Sequence, residues 1–284
     1  MLYMDQQYST TLDKPLAISS AGDCPTPEPQ LSSPPWQSIT NHIVQFTIVA
    51  RDILSSPHIH NDIVDRGTDK LLLLQKSLHH VARFDATWLN HERTLVGWPV
   101  DVQAAILHAK VHNLIIALNR RRTEFGLQTL ETGAMLQPLS PQTDIDGTVR
   151  GRPRVLESCR ELLQSFEFFH SRLKAGMVSW SMGQMAFNAA MLLTLSMLET
   201  GETLDLLPVQ HAYSTFLEMN KLGIHKLAGA AVERLGKLMK EFGTDDSANE
   251  KVMGWGGMML LEDSSFQKSV PRRMRGRSCV YSNG

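Results

Sequence analysis

Apolar residues in this chain recur at steps of three and four, and no four-residue run alternates cleanly between apolar and polar. The first pattern is that of amphipathic helices and the second would mark half-buried strands, so the reading is all-α. Ile39, Ile43, Phe46, Val49 and Ala50 predict a helix over 38–54. A second is predicted from about Thr68 to His91, capped by Thr68 or Asp69, with Leu71, Leu74, Leu78, Val81 and Trp88 as its stripe. After the turn Gly97-Trp98-Pro99, a third opens at Asp101 and carries Leu107, Val111, Leu114, Ile115 and Leu118 on one side.

The stretch Arg154–Glu199 is the densest. Its first half aligns Leu156, Cys159, Leu162, Leu163, Phe166, Phe169 and Leu173 on one face. Its second half is apolar nearly all round, with no charged residue from Ala175 to Leu198. A helix without a polar face is stable only when other helices surround it, so this segment is expected to be the buried central helix of an irregular multi-helix bundle. Met177 to Leu198 is also long enough for a membrane span. Its Ser, Gly, Gln, Asn and Thr residues, and the lack of basic anchors at its far end, favour a core helix instead.

Two more helices follow, over 206–222 with Val209, Tyr213, Phe216 and Leu217 inward, and over 224–242 with Leu227, Ala231, Leu235, Leu238, Met239 and Phe242. Thr203-Leu204-Asp205 before Leu207-Pro208 is a suitable helix entrance. Glycines at 126, 176, 201, 223 and 243 are expected to terminate the preceding helices, since glycine takes the left-handed closing conformation without a Cβ penalty. No repeat period is visible.

The flanks differ from this body. Residues 1–36 are poor in apolar groups and rich in Ser, Thr and Pro, a disordered lead; residues 126–152 read as a disordered loop. The helical domain is expected over 37–262, followed by a basic tail over 263–284. Lys268, Arg272, Arg273, Arg275 and Arg277 stand there without an acid between them. The tail admits two readings, a nuclear-import or phosphate-binding segment and a solvated charged end.

Charge and cysteines narrow the function classes. A net charge of −1 gives no whole-molecule attraction to nucleic acid or anionic lipid. Cys24, Cys159 and Cys279 lie too far apart for a disulfide framework, and three cysteines exclude a four- or six-cysteine zinc site within the chain. Cys159, on an apolar face, reads as a small buried hydrophobe. The first fifteen residues have neither a basic start nor an apolar run, so no secretory signal is read there and the expected compartment is nucleus or cytosol.

Catalytic motifs are not found. There is no Gly-x-Ser-x-Gly elbow. Gly229 to Lys237 only faintly resembles a phosphate loop: its glycine spacing is wrong, Leu238 stands where a hydroxyl should hold magnesium, and the segment reads as mid-helix. Asn61-Asp62 and Asp245-Asp246, as terpene-synthase-like carboxylates, fall in predicted loops and lack the rest of a magnesium triad. His58, His60 and Asp62 could be drawn as metal ligands, but eleven histidines make such groupings cheap and no second shell can be named. His79 and His80, adjacent on a predicted helix, point about 100° apart and do not share a metal readily. The 14 methionines read as flexible core filling. No catalytic, cofactor-binding or metal residue is assigned, and the chain is expected not to be an enzyme.

One family resemblance remains. VLESCRELLQSFEFFHSRLKAG followed by SWSMGQMAFNAAMLLTLSML resembles the fungal-specific transcription factor domain, or middle homology region, of zinc-cluster transcription regulators. The matching positions are Cys159, Trp180 and Phe187-Asn188-Ala189-Ala190. Upstream, AAILHAKVHNLIIALNRRR is similar to the helix that ends in Leu-His-Arg-Pro in many members, with Leu118-Asn119-Arg120-Arg121 here. Leu78 to Trp98 is similar to the preceding segment of spaced Leu and Trp, and Leu217 to Phe242 to the closing helices. The resemblance covers about residues 40–245 and lies in the order of segments.

The family's N-terminal six-cysteine zinc cluster, which reads DNA, and the coiled coil that usually follows are absent from this sequence. The resemblance therefore implies a nuclear transcription regulator without its own DNA-reading module, controlling a metabolic or secondary-metabolite gene set. Its expected partners are proteins of the transcription machinery or a DNA-binding regulator, with homodimerisation as one form of association. No direct sequence-specific DNA binding and no membrane partner are expected. Either the protein acts through a partner, or the chain is a shortened member or an incomplete gene model. Cys159, Trp180 and Phe187 are expected to be framework residues whose mutation unfolds the body. The alternative class is an all-helical enzyme or small-ligand protein with a pocket beside the central helix; convergent carboxylates or histidines in a cavity would favour it.

Overall fold

The computed structural model describes residues 35–55, 60–90, 97–122, 149–173 and 179–243. Among these, seven helices pack together and no strand occurs: α1 Pro35–Leu54, α2 Asn61–Ser77, α3 Val100–Asn119, α4 Gly151–Leu173, α5 Trp180–Thr200, α6 Leu206–Lys221 and α7 Lys226–Gly243. Two 3₁₀ turns, His80–Ala82 and Ala86–Asn90, lie between α2 and α3. Residues 1–34 of the expected lead, most of the 126–152 loop and the basic tail, with Lys268, Arg272, Arg273, Arg275 and Arg277, lie outside the described residues, as do His58 and Asp245-Asp246; Pro35 and Trp36, placed in the lead, instead open α1. No helix of the described residues is long and apolar enough to cross a membrane.

The predicted faces are the buried ones. On α3 all of Leu107, Val111, Leu114, Ile115 and Leu118 are buried, and on α4 Cys159, Leu162, Leu163, Phe166 and Phe169. Burial also pushes the Cys159 thiol well above its ordinary range, against weaker opposing effects of Arg120 and Arg160, so it is an inert core group. Two of the predicted glycine stops are seen directly. Gly201 and Gly223 take φ of 70° and 65° just past α5 and α6. At the other end of α5, Ser179 Oγ accepts a hydrogen bond from the Met182 N–H, an N-terminal cap.

The central helix is α3, not α5. α5 buries most of its circumference, but within a single core cluster shared with α4, α6 and α7. α3 contributes Val102, Ala109 and Ile116 to that cluster and Val111, Leu114, Ile115 and Leu118 to a second, with α1 and α2. Leu107 joins a third cluster, and Ala104 and Ala105 a fourth around Phe84 and Phe168. Its alanines let neighbours approach closely on the side away from the leucine stripe, so one apolar stripe understates how much of α3 is enclosed. α3 and α4 share the most extensive helix–helix contact in the body.

Other expectations are corrected. The second helix does not run from Thr68 to His91: it starts at Asn61 and stops at Ser77, where Leu78 turns to an extended conformation and buries in a cluster with Ile39, Ala82 and Leu107. Tertiary burial of Leu78 outweighs the helical pattern beyond it. Neither Thr68 nor Asp69 is a cap. Thr68 is buried mid-helix and accepts a 2.9 Å hydrogen bond from Asn119 Nδ2, while Asp69 pairs with Arg150. Asn61 and Asp62 open α2 instead of lying in a loop, and His79 and His80 sit in the turn after it. α3 ends at Asn119, ahead of Gly126, and α4 begins at Gly151 inside the expected loop. Gly229 and Lys237 lie within α7, as their failed phosphate-loop match required.

Trp180 is the departure with a consequence. It occupies the first helical position of α5 and is 42 % exposed, because the enclosed part of the helix begins at Met182. Trp180→Ala is therefore expected to change the unfolding free energy by less than about 1 kcal/mol, since surface substitutions away from packed features do little. Urea unfolding checks this, and a loss as large as that of a core aromatic would contradict the exposed placement.

Charged groups hold the ends of the helices together. Asp65 and Asp69, one turn apart on α2, pair with Arg122 and Arg150, the residues that flank the segment between α3 and α4. Asp205 precedes α6 as its N-terminal residue but makes no capping bond; its carboxylate instead takes a bidentate contact from Arg160 of α4, with Nη2 to Oδ2 at 2.9 Å.

Candidate functional site

The chemistry-bearing side chains that the fold brings together are His108 and His112 of α3, Glu161 of α4, Gln75 of α2 and His42 of α1. One helical turn separates His108 from His112, so both rings leave the same face of α3 with centroids 4.4 Å apart. Glu161 approaches from α4, and its Oε2 lies 2.9 Å from His108 Nε2. One donor atom each from His108, His112 and Glu161 lie within 4.8 Å of one another. The other nitrogen of His108, Nδ1, meets the side-chain amide of Gln75.

Their surroundings are apolar. Phe84 packs 5.0 Å from the His108 ring and 5.5 Å from Phe168, whose own ring has the Arg172 guanidinium 5.2 Å over it. His112 is 4 % exposed and its Nδ1 has no hydrogen-bond partner. Burial first, then His108 and Arg154, hold its pKa well below the ordinary histidine value, so its ring is neutral at pH 7. His42 is equally buried, and neither of its ring nitrogens meets a well-aligned partner. Burial lowers it to about 4, against a smaller opposing pull from the Leu74 backbone.

His42, Gln75 and His108 line one small cavity together with Arg83, Phe84 and Leu107. About 10 Å³ is free there for a water-sized body, near the minimum that holds one water and far below an organic-ligand pocket. Two histidines do converge on a cavity, as a ligand site requires, but the space suits a water or an ion.

From the sequence alone this cluster is assigned no role; of the other groupings weighed there, His58 and Asp245-Asp246 lie outside the described residues. Among the described residues, His60 and Asp62 are at the start of α2, and the His79 ring lies tilted beside that of His80 with centroids 4.4 Å apart. The His108–His112 spacing was visible as two imidazoles one turn apart, whereas Glu161 is 49 residues further on and joins them only through α3–α4 packing. No family model, curated protein or solved structure matches this chain.

Proposed function

We propose that this chain is the helical regulatory body of a transcription regulator of the fungal zinc-cluster type, acting in the nucleus through protein partners and not by reading DNA itself. The observation that carries the reading is the agreement between the resemblance and the packing. The two most similar segments are consecutive helices, and Cys159 of one lies in the same core cluster as Phe187, Ala189 and Ala190 of the other. The helix similar to the family's upstream segment is the one enclosed by all four clusters. An all-helical body suits a module that associates with proteins. The exposed Trp180 is a matching position that does not act as framework.

The experiment fuses the full chain to a heterologous DNA-binding domain in a filamentous fungus and measures a reporter carrying that domain's site. A change in transcription of several-fold is expected, in either direction. Transcription equal to that of the DNA-binding domain alone would overturn the regulatory reading. In gel shifts the unfused chain is expected to give no salt-resistant, sequence-selective complex. Replacing Lys268, Arg272, Arg273, Arg275 and Arg277 by glutamine is expected to reduce nuclear accumulation of a fluorescent fusion.

The small-ligand or enzyme reading has one observation in its favour, the histidines that line the cavity between α1, α2 and α3. Its volume bears against an organic substrate.

A further inference from the structure

We propose that His108, His112 and Glu161 form a binding site for one first-row divalent cation, Zn²⁺ by the character of its donors, which staples α3 to α4. Two imidazole nitrogens and one carboxylate oxygen are a borderline donor set; magnesium and calcium favour all-oxygen shells. Three such protein ligands leave a fourth position for water, the form taken by open zinc sites.

The geometry needs little adjustment to hold the cation. Zinc–nitrogen and zinc–oxygen bonds of about 2.0–2.2 Å set neighbouring ligand atoms in a tetrahedron roughly 3.4 Å apart. His108 Nε2 and Glu161 Oε2, at 2.9 Å, need to open by only a few tenths of an ångström, and no pair of the three donors is more than 4.8 Å apart. Both histidines lie on one helix face at the spacing that serves a shared metal.

The groups around the site also have the features of an outer shell. Gln75 contacts the far nitrogen of His108. The amide nitrogen faces Nδ1 as placed; a 180° turn of the amide brings its oxygen there to accept the Nδ1 proton, which leaves the Nε2 lone pair for the metal. His112 is buried with a ring nitrogen that no protein group satisfies, an expense that a hydrogen-bond network would not leave standing. Arg154 is the cation nearest His112 in effect, and it pairs with Glu157 at 2.9 Å, so its charge is partly met elsewhere. This site is independent of the regulatory reading.

The test uses the full, untagged chain, stripped with chelator and titrated with Co²⁺ and then Zn²⁺. One equivalent of Co²⁺ is expected to give the visible d–d bands of a four-coordinate site without a near-ultraviolet thiolate band, and Zn²⁺ to displace it. Free Zn²⁺ a hundredfold above its Kd is expected to raise Tm by about 5–10 °C, reversed by chelation. His112→Leu replaces a buried neutral ring with an apolar side chain, and Glu161→Gln keeps the contact to His108; each is expected to weaken Co²⁺ binding at least tenfold. Circular dichroism verifies that both variants fold, and should either fail to, the other decides. His79→Ala/His80→Ala is expected to bind as the parent does. Absence of the d–d bands in the parent, a thiolate band, or unchanged binding in a folded His112→Leu or Glu161→Gln chain would overturn the site.

Discussion

Phe216→Ala is expected to destabilise the protein by about 3–5 kcal/mol, the range for removing a fully buried aromatic ring. Phe216 is completely buried on α6, stacks on Phe166 of α4 at 5.4 Å between centroids, and stands edge-on to Phe187 of α5 at 6.4 Å. Three helices therefore meet at this ring, and the void left by its removal is bounded by side chains on separate backbones that cannot all move in at once. Gly183 of α5 shows how tight the junction is: a Cβ there would lie 3.3 Å from Leu227 Cδ2 and 4.0 Å from the Phe216 ring. Chemical denaturation should show a lower midpoint with an unchanged slope, and a scan should show Tm lower by roughly 6–20 °C for a body of this size. Phe216→Leu, which refills much of the volume, is expected to recover more than half of the loss. A midpoint within error of the parent for the alanine variant would show that α6 is not packed through Phe216.

The second large effect is acid sensitivity. In the unfolded chain the His42 imidazole takes a proton near its ordinary value of 6.5, whereas burial in the folded protein defers this to about 4. Between those values the unfolded chain binds more protons, so stability rises with pH across the window. His42 contributes fully above about pH 6.5, and its contribution is lost progressively as pH falls, the loss being complete below about pH 4. The difference corresponds to about 3 kcal/mol. His112, lowered by burial in the same direction, steepens the decline. Arg83 and His108 line the same cavity, so a proton on His42 would enter beside other cationic or ionisable groups.

The check compares urea unfolding of the parent with His42→Leu at pH 7.5 and pH 4.5. The leucine chain should keep more of its stability on acidification, by about 2–3 kcal/mol, even though both chains lose some through their carboxylates. If the two lose stability equally between those pH values, His42 is not the buried neutral group described.

Much of the candidate site lay beyond sequence reasoning for a definite reason. His108 and His112 are one turn apart on any helix that includes them, yet that spacing is common on solvent-facing surfaces and carries no information about enclosure. Their burial follows from Phe84 and Phe168 closing over the same face of α3, and Phe84 is delivered by a turn that the helical pattern from Thr68 to His91 did not predict. Glu161 was outside the stripe on α4 for the same reason that Phe168 was. α4 packs against both α3 and α5, so it buries two faces, and a single-stripe reading registers only the wider one.

What the sequence by itself determined is local: the all-α class, the apolar stripes of α1, α3, α4, α6 and α7, and the terminating glycines at 201 and 223. These depend on residue period and on backbone sterics that act within a few positions. The tertiary structure decided which helix lies at the centre, where α2 stops, that Trp180 remains in solvent, and that His42 and His108 line one cavity while the partly exposed Glu161 meets His108 beside the buried His112. Each of those outcomes depends on contacts between residues far apart in the chain. Burial, unlike periodicity, is a property of the partner as much as of the residue.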